Sequence, residues 1–146
     1  MPEPELITEE EAAMRWVYDK IKPFLDTKSI RAFPSGIPQG EALPAAYYTP
    51  VTSQDVTQGD QSIGGTWVFI DVMVQAEGLN YLDSVAYGMN DVLHKSKGSI
   101  NGQYEINCFR GSPRRYPHAM EGQQFRDSGG RYRVLVRPLD ETNGEN

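Results

Sequence analysis

At 146 residues, 38% of them apolar, the chain has the length and composition for one packed core and no room for a second domain. The formal charge of −6 argues against a protein that coats a polyanion, and a single cysteine excludes an internal disulfide or a zinc site built from several thiolates. No segment approaches the ~18 consecutive apolar residues of a bilayer span, and the N-terminus lacks the basic-then-apolar order of a signal peptide, so the expectation is a soluble protein without membrane contact that stays inside the cell that makes it.

Thr8 followed by Glu11 fits a capping box, and Glu9 and Glu10 suit the positive end of a helix dipole. Ala13, Trp16, Val17 and Ile21 then recur at helical spacing. Lys22-Pro23 predicts the end of this helix, because the residue before a proline avoids helical geometry; the expected span is Thr8–Ile21. A short strand is expected around Ser29–Phe33. Four prolines and two glycines between Pro34 and Pro50 then predict an irregular connection. Ala45–Val56 reads as a strand, with Tyr47, Tyr48 and Val51 supplying the preference and Pro50 placing it at a sheet edge. The polar stretch Thr57–Gly65, with Gly59-Asp60 and Gly64-Gly65, predicts a long hairpin loop.

Thr66–Ala76 is the clearest strand. Val68, Ile70, Val72, Val74 and Ala76 fill one face, while Trp67, Phe69, Asp71, Met73 and Gln75 alternate on the other. The second face is half apolar, so the Trp67–Phe69 end needs a cover, either the first helix or a neighbouring subunit. A second helix is expected from Asn80 to Lys95 on the stripe Leu82, Val85, Ala86, Met89, Val92 and Leu93, with Gly98 as a nearby terminator. Gln103–Arg110 and Gln124–Arg137 read as closing strands, joined by a long Arg-bearing loop, Gly-Ser-Pro-Arg-Arg-Tyr-Pro-His. Cys108 falls in an apolar-alternating run and reads as a buried, inert thiol. The predicted fold class is α+β: an antiparallel or mixed sheet of about four main strands packed with two α-helices, one domain over residues 1–139, and a frayed acidic tail from Asp140 to Asn146.

The charge is unevenly placed. Residues 1–60 carry ten acids and five bases, whereas residues 110–137 carry seven arginines (Arg110, Arg114, Arg115, Arg126, Arg131, Arg133 and Arg137) against Glu121 and Asp127. Two readings stay open: a solvated face paired with the protein's own acids, or a surface for a negatively charged partner, which in an acidic chain includes another copy of itself.

Catalytic motifs are weak. Asp127-Ser128-Gly129-Gly130 is similar to a serine-protease nucleophile stretch, but the only histidines are His94 and His118, and the chain is too short for two barrels; a hairpin turn is the ordinary reading. A small hydrolase using Ser128 or Asp71 and a monomeric binding module using the Trp67–Phe69 face are the non-assembly alternatives. Neither a phosphate-binding glycine loop nor metal-ligand spacing occurs, so no cofactor and no metal are expected.

Taken in order, the opening amphipathic helix (Glu9–Ile21), the proline-rich lead into Leu43-Pro44-Ala45-Ala46-Tyr47-Tyr48-Thr49-Pro50, the Trp67–Ala76 strand, the helix over Tyr81–Leu93, the Cys108-Phe109-Arg110 strand end and the Gly130–Val136 strand resemble bacteriophage tail terminator (tail completion) proteins. The resemblance covers residues 8–137 and is one of layout. It implies a structural virion protein, not an enzyme: a homo-oligomeric ring, typically a hexamer, that caps the tail tube, stops its growth and offers a head–tail joining surface. The implied partners are the tail tube protein and a neck or connector protein, with a sheath as a further contact and genome DNA in the lumen. The implied location is the tail–neck junction of a virion assembled in the host cytoplasm. A head–tail connector is the nearest alternative. Arg114, Arg115, His118, Arg126, Trp67 and the Thr57–Gly65 loop are the expected assembly surface, with Asp55, Asp60 or the Glu9–Glu11 cluster as opposite partners.

Overall fold

A computed structural model describes residues 6–57, 63–77, 79–120 and 123–139. The loop residue Asp60 and the expected tail 140–146 lie outside the described residues.

The first helix, α1 (Glu9–Thr27), starts as its sequence predicts: Thr8 is the N-cap, and its Oγ1 accepts from Glu11 N at 3.1 Å. It does not stop at Pro23, which lies inside it. An interior proline costs a helix about 3 kcal/mol. The offsetting gain comes from the turn that follows, where Leu25 is fully buried, and burial of a leucine contributes roughly 1.5–3 kcal/mol. The true stop is a Schellman motif. Ile30 N reaches Leu25 O at 3.0 Å, Ser29 N reaches Asp26 O at 3.1 Å, and Ser29 takes the left-handed conformation usually given to glycine. Ile30 and Leu25 are both buried, the apolar contact that accompanies such caps.

The strands are β1 (Arg31–Pro34), β2 (Ala45–Thr57), β3 (Ile63–Ala76), β4 (Ser96–Ile100), β5 (Tyr104–Met120) and β6 (Gln123–Pro138), with α2 (Leu79–Leu93) between β3 and β4. They form one sheet in the order β1-β2-β3-β6-β5-β4, antiparallel except for the parallel β1–β2 pair. The α+β class stands, but with six strands instead of about four. β4 was not visible in the sequence because Ser96–Ile100 has no apolar alternation; it pairs with Tyr104–Cys108 through its backbone. Gly98, expected to end the second helix, lies within β4 beside Trp16, and the chain leaves α2 through Lys95 at φ 63°.

Two further corrections concern the Arg-rich block. Residues 111–118 are not a loop: β5 runs through them, absorbing Gly111 as an extra residue between Arg110 and Ser112. Asp127-Ser128-Gly129-Gly130 is not a turn but the middle of β6, paired with β3 on one side and β5 on the other. Its glycine answers to packing, since a Cβ on Gly129 would stand 2.0 Å from Val72 O.

Both helices lie on one face of the sheet. Ala13, Val17, Ile21 and Leu25 of α1 and Leu82, Val85, Met89 and Leu93 of α2 share a core with Val68, Ile70, Val72 and Val74 of β3 and Val134 and Val136 of β6. Phe24 lies against Gly88, where a Cβ would come within 2.1 Å of its ring. Cys108 is fully buried on the same side, as the alternation predicts, and desolvation pushes its thiol up to about 12.

Candidate assembly surface

The one-sided core leaves the other face of the sheet without helices. Alternation decides what it carries: Trp67, Phe69, Asp71, Met73 and Gln75 from β3, Arg131, Arg133 and Leu135 from β6, and Phe109 from β5. The first helix therefore does not cover Trp67 and Phe69, which remain half-buried. Their cover within the chain is partial. The Trp67 and Phe109 ring centroids stand 6.3 Å apart, and the exposed Arg133 guanidinium lies 5.4 Å from the first ring and 5.5 Å from the second. An arginine stacked on two aromatics keeps its N–H edges free for an acceptor.

Farther along this face the polar groups are paired. Arg131 Nε and Nη2 hold Asp71 at 2.7 and 3.0 Å, a two-point clamp, and the buried Asp127 carboxylate accepts from Tyr47 Oη and from Gln75 Nε2 at 2.9 Å. Sequence reading missed these contacts, although the two-residue spacing of Arg131 and Arg133 was the signal: it places both on the face that holds Asp71 and Trp67.

Seven arginines occupy the adjacent strands β5 and β6, against Glu105 and Asp127, while α1 and α2 together carry seven acids against three bases. The asymmetry of the sequence is thus one of position in the fold. Among the described residues, Arg131 has a carboxylate partner, and Arg110, Arg126, Arg133 and Arg137 have none.

Arg114, Arg115, His118 and Arg126 fall together on the far half of the β5–β6 hairpin, opposite Gly129, Ser128, Phe125 and Pro117 respectively. Arg126 is exposed; Arg114 is half-buried, its Nε shielded and without an acceptor; the side chains of Arg115 and His118 are outside the described residues. Asp55 and Trp67 lie at the other end of the sheet, where Asp55 accepts from Thr66 Oγ1 at 3.0 Å. The ten residue steps from Thr66 to Ala76, which pairs with Arg126, span about 33 Å of strand. Asp55 is thus too far from Arg126 to meet it within one chain. Of the Glu9–Glu11 cluster, Glu11 holds its own Arg15 at 2.8 Å and Glu9 accepts from Tyr104 Oη at 3.3 Å.

A cleft of about 200 Å³ opens between α2 and the hairpin, lined by Asp83, Tyr87, Asn90, Arg110, Arg114 and Tyr132 among others. Four of its polar side chains pair with one another: Ser128 Oγ donates to Asp83 at 3.2 Å, and Tyr132 Oη donates to Asn90 at 3.0 Å. Burial raises the Tyr132 phenol above the usual tyrosine range, and the Arg110 guanidinium draws it part of the way back. Ser128 is buried, and its hydroxyl is engaged by the Asp83 carboxylate.

The sheet has two incompletely covered margins. β1 pairs with β2 only from Ala45 to Tyr48, and β4 pairs with β5 only from Tyr104 to Cys108. Tyr48 turns its carbonyl outward to Ser35 N, so Pro50, two residues on, has its missing N–H on that open edge. On the other side Arg110 N is outward, donating to His94 Nδ1 at 2.9 Å; the extra residue Gly111 shifts the alternation, which sets Pro113 and Pro117 outward. Each margin is therefore interrupted at its prolines, which leave gaps in the row of donors that an added strand would use.

No family model matches this chain, and no curated protein matches it. The fold has a solved counterpart. A chain from the virion of a native gene transfer agent particle matches with a TM-score of 0.62 and 13% identity, covering 90% of this chain and 99% of that one. At that identity the likeness is one of fold.

Proposed function

We propose that this chain is a non-enzymatic structural protein of a phage-like virion, and that it closes the tail tube as a ring of copies, ending tube growth and presenting the surface to which the head joins. The observation that carries the reading is the fold shared with a virion chain across 99% of that chain's length. The layout of the sequence, which resembles tail terminators, points the same way. Prolines interrupt the open margins of the sheet, which favours contacts through side chains and faces; each copy would give one patch and receive another, the heterologous arrangement that closes rings. The arginines of β5 and β6 and the acids of the helix layer supply two such patches on one molecule.

The test is electron microscopy of particles assembled without this protein. A terminator predicts tails of abnormal length. Normal tails that fail to join heads would overturn the capping role in favour of a connector, and normal, joined particles would remove the chain from this junction. Purified protein added to polymerising tail tube protein is expected to stop tube growth, read as tube length.

A further inference from the structure

We infer that the helix-free sheet face, centred on the Trp67–Arg133–Phe109 stack, is the seat for helix α2 of a second copy of this chain, with Arg133 meeting Asp91 and the aromatic pair receiving Tyr87. The inference rests on the ring reading above and names the surfaces that close it.

The acceptor side is an aromatic pair, half-buried, capped by a guanidinium that has no carboxylate partner among the described residues. Leu135 and Met73 lie buried on the same face, so the patch continues into a close-packed floor. The donor side is the outer stripe of α2. Ser84, Tyr87 and Asp91 fall at three- and four-residue spacing and are all exposed, Tyr87 at 71%. This helix has two acids and no lysine or arginine along its length, and no cation is paired with Asp91 among the described residues. One surface thus offers aromatics with a cation, the other an aromatic with an anion. They match in charge and in chemistry, and they lie on opposite layers of the molecule. A contact between opposite layers cannot be self-complementary; it repeats head to tail, which is what a ring requires.

The test uses the full chain in low salt, measuring mass by sedimentation velocity. Arg133→Glu and Asp91→Arg are each expected to shift the assembled protein toward monomer, weakening association roughly tenfold or more. The two together are expected to restore it. Both sites are exposed, so far-UV circular dichroism should be unchanged. Trp67 fluorescence should shift on assembly in the wild type and not in either single variant, with the buried Trp16 as a constant background. If the single variants assemble normally, this interface is wrong while the ring reading stands. If both dissociate and the double variant is not rescued, Asp91 is not the partner. A wild-type chain that stays monomeric at high concentration overturns the ring reading itself.

Discussion

Gly129 is where the sequence was most easily misread. Beside Ser128 and Gly130 it has the composition of a turn, yet it lies mid-strand with the Val72 carbonyl where its side chain would be. The obstruction is backbone, which cannot swing aside as the Phe24 ring beside Gly88 can. Gly129→Ala is therefore expected to lose about 2–3 kcal/mol or more in urea denaturation, and Gly88→Ala less, because its overpacking is partly offset by alanine's helix preference of about 1 kcal/mol. Cys108 was legible, since alternation places it in the core. Its folded-state value of about 12 lies above the ordinary 9.0. The folded chain thus keeps a proton that the unfolded chain releases, and the contribution is complete below pH 9 and lost as pH rises from 9 towards 12. A Cys108→Ala variant should show a shallower fall in stability over that window, and native protein should resist a thiol reagent that labels the urea-unfolded chain at once.

At the scale of elements, α1 had two conflicting signals. The apolar spacing Ile21 to Leu25 continues the helical stripe, whereas Pro23 marks a stop, and the stripe wins because Leu25 and Phe24 find the core and Gly88. The proline remains a local cost. Pro23→Ala is expected to raise the unfolding midpoint, by a free energy of about 1–3 kcal/mol, with helix content unchanged by circular dichroism. The last turn was harder to see because Ser29, not glycine, takes the left-handed position. The second half of β5, beyond Arg110, escaped for a different reason: Pro113 and Pro117 look like loop residues, but on an outward-facing edge a proline removes no hydrogen bond of the sheet. Pro50 obeys the same rule locally: β2 lies between β1 and β3 from Ala45 to Tyr48 and is an edge only beyond, where Pro50 sits.

At the scale of the whole molecule, the α+β class and the unequal charge were legible in one dimension, but the geometry that gives them meaning was not. Nothing in the spacing of Asp55 and Arg126 says that they sit at opposite ends of a sheet some 33 Å long, or that the arginines gather on two adjacent strands. That separation turns a charge pattern into a condition on assembly: attraction between the two ends is available only to different copies. It should be screened by salt, because the Debye length falls from about 30 Å at 0.01 M to about 3 Å at 1 M. Charge reversal at Arg114 and Arg115 is expected to weaken oligomerisation without unfolding the chain, and since Arg114 is half-buried, Arg126→Glu at the exposed end of the same hairpin provides the cleaner variant. Light scattering at low salt should report a lower mass for both variants, and for the wild type only on raising the salt. A mass indifferent to Arg126 and to salt would mean that this end of the hairpin takes no part in holding copies together.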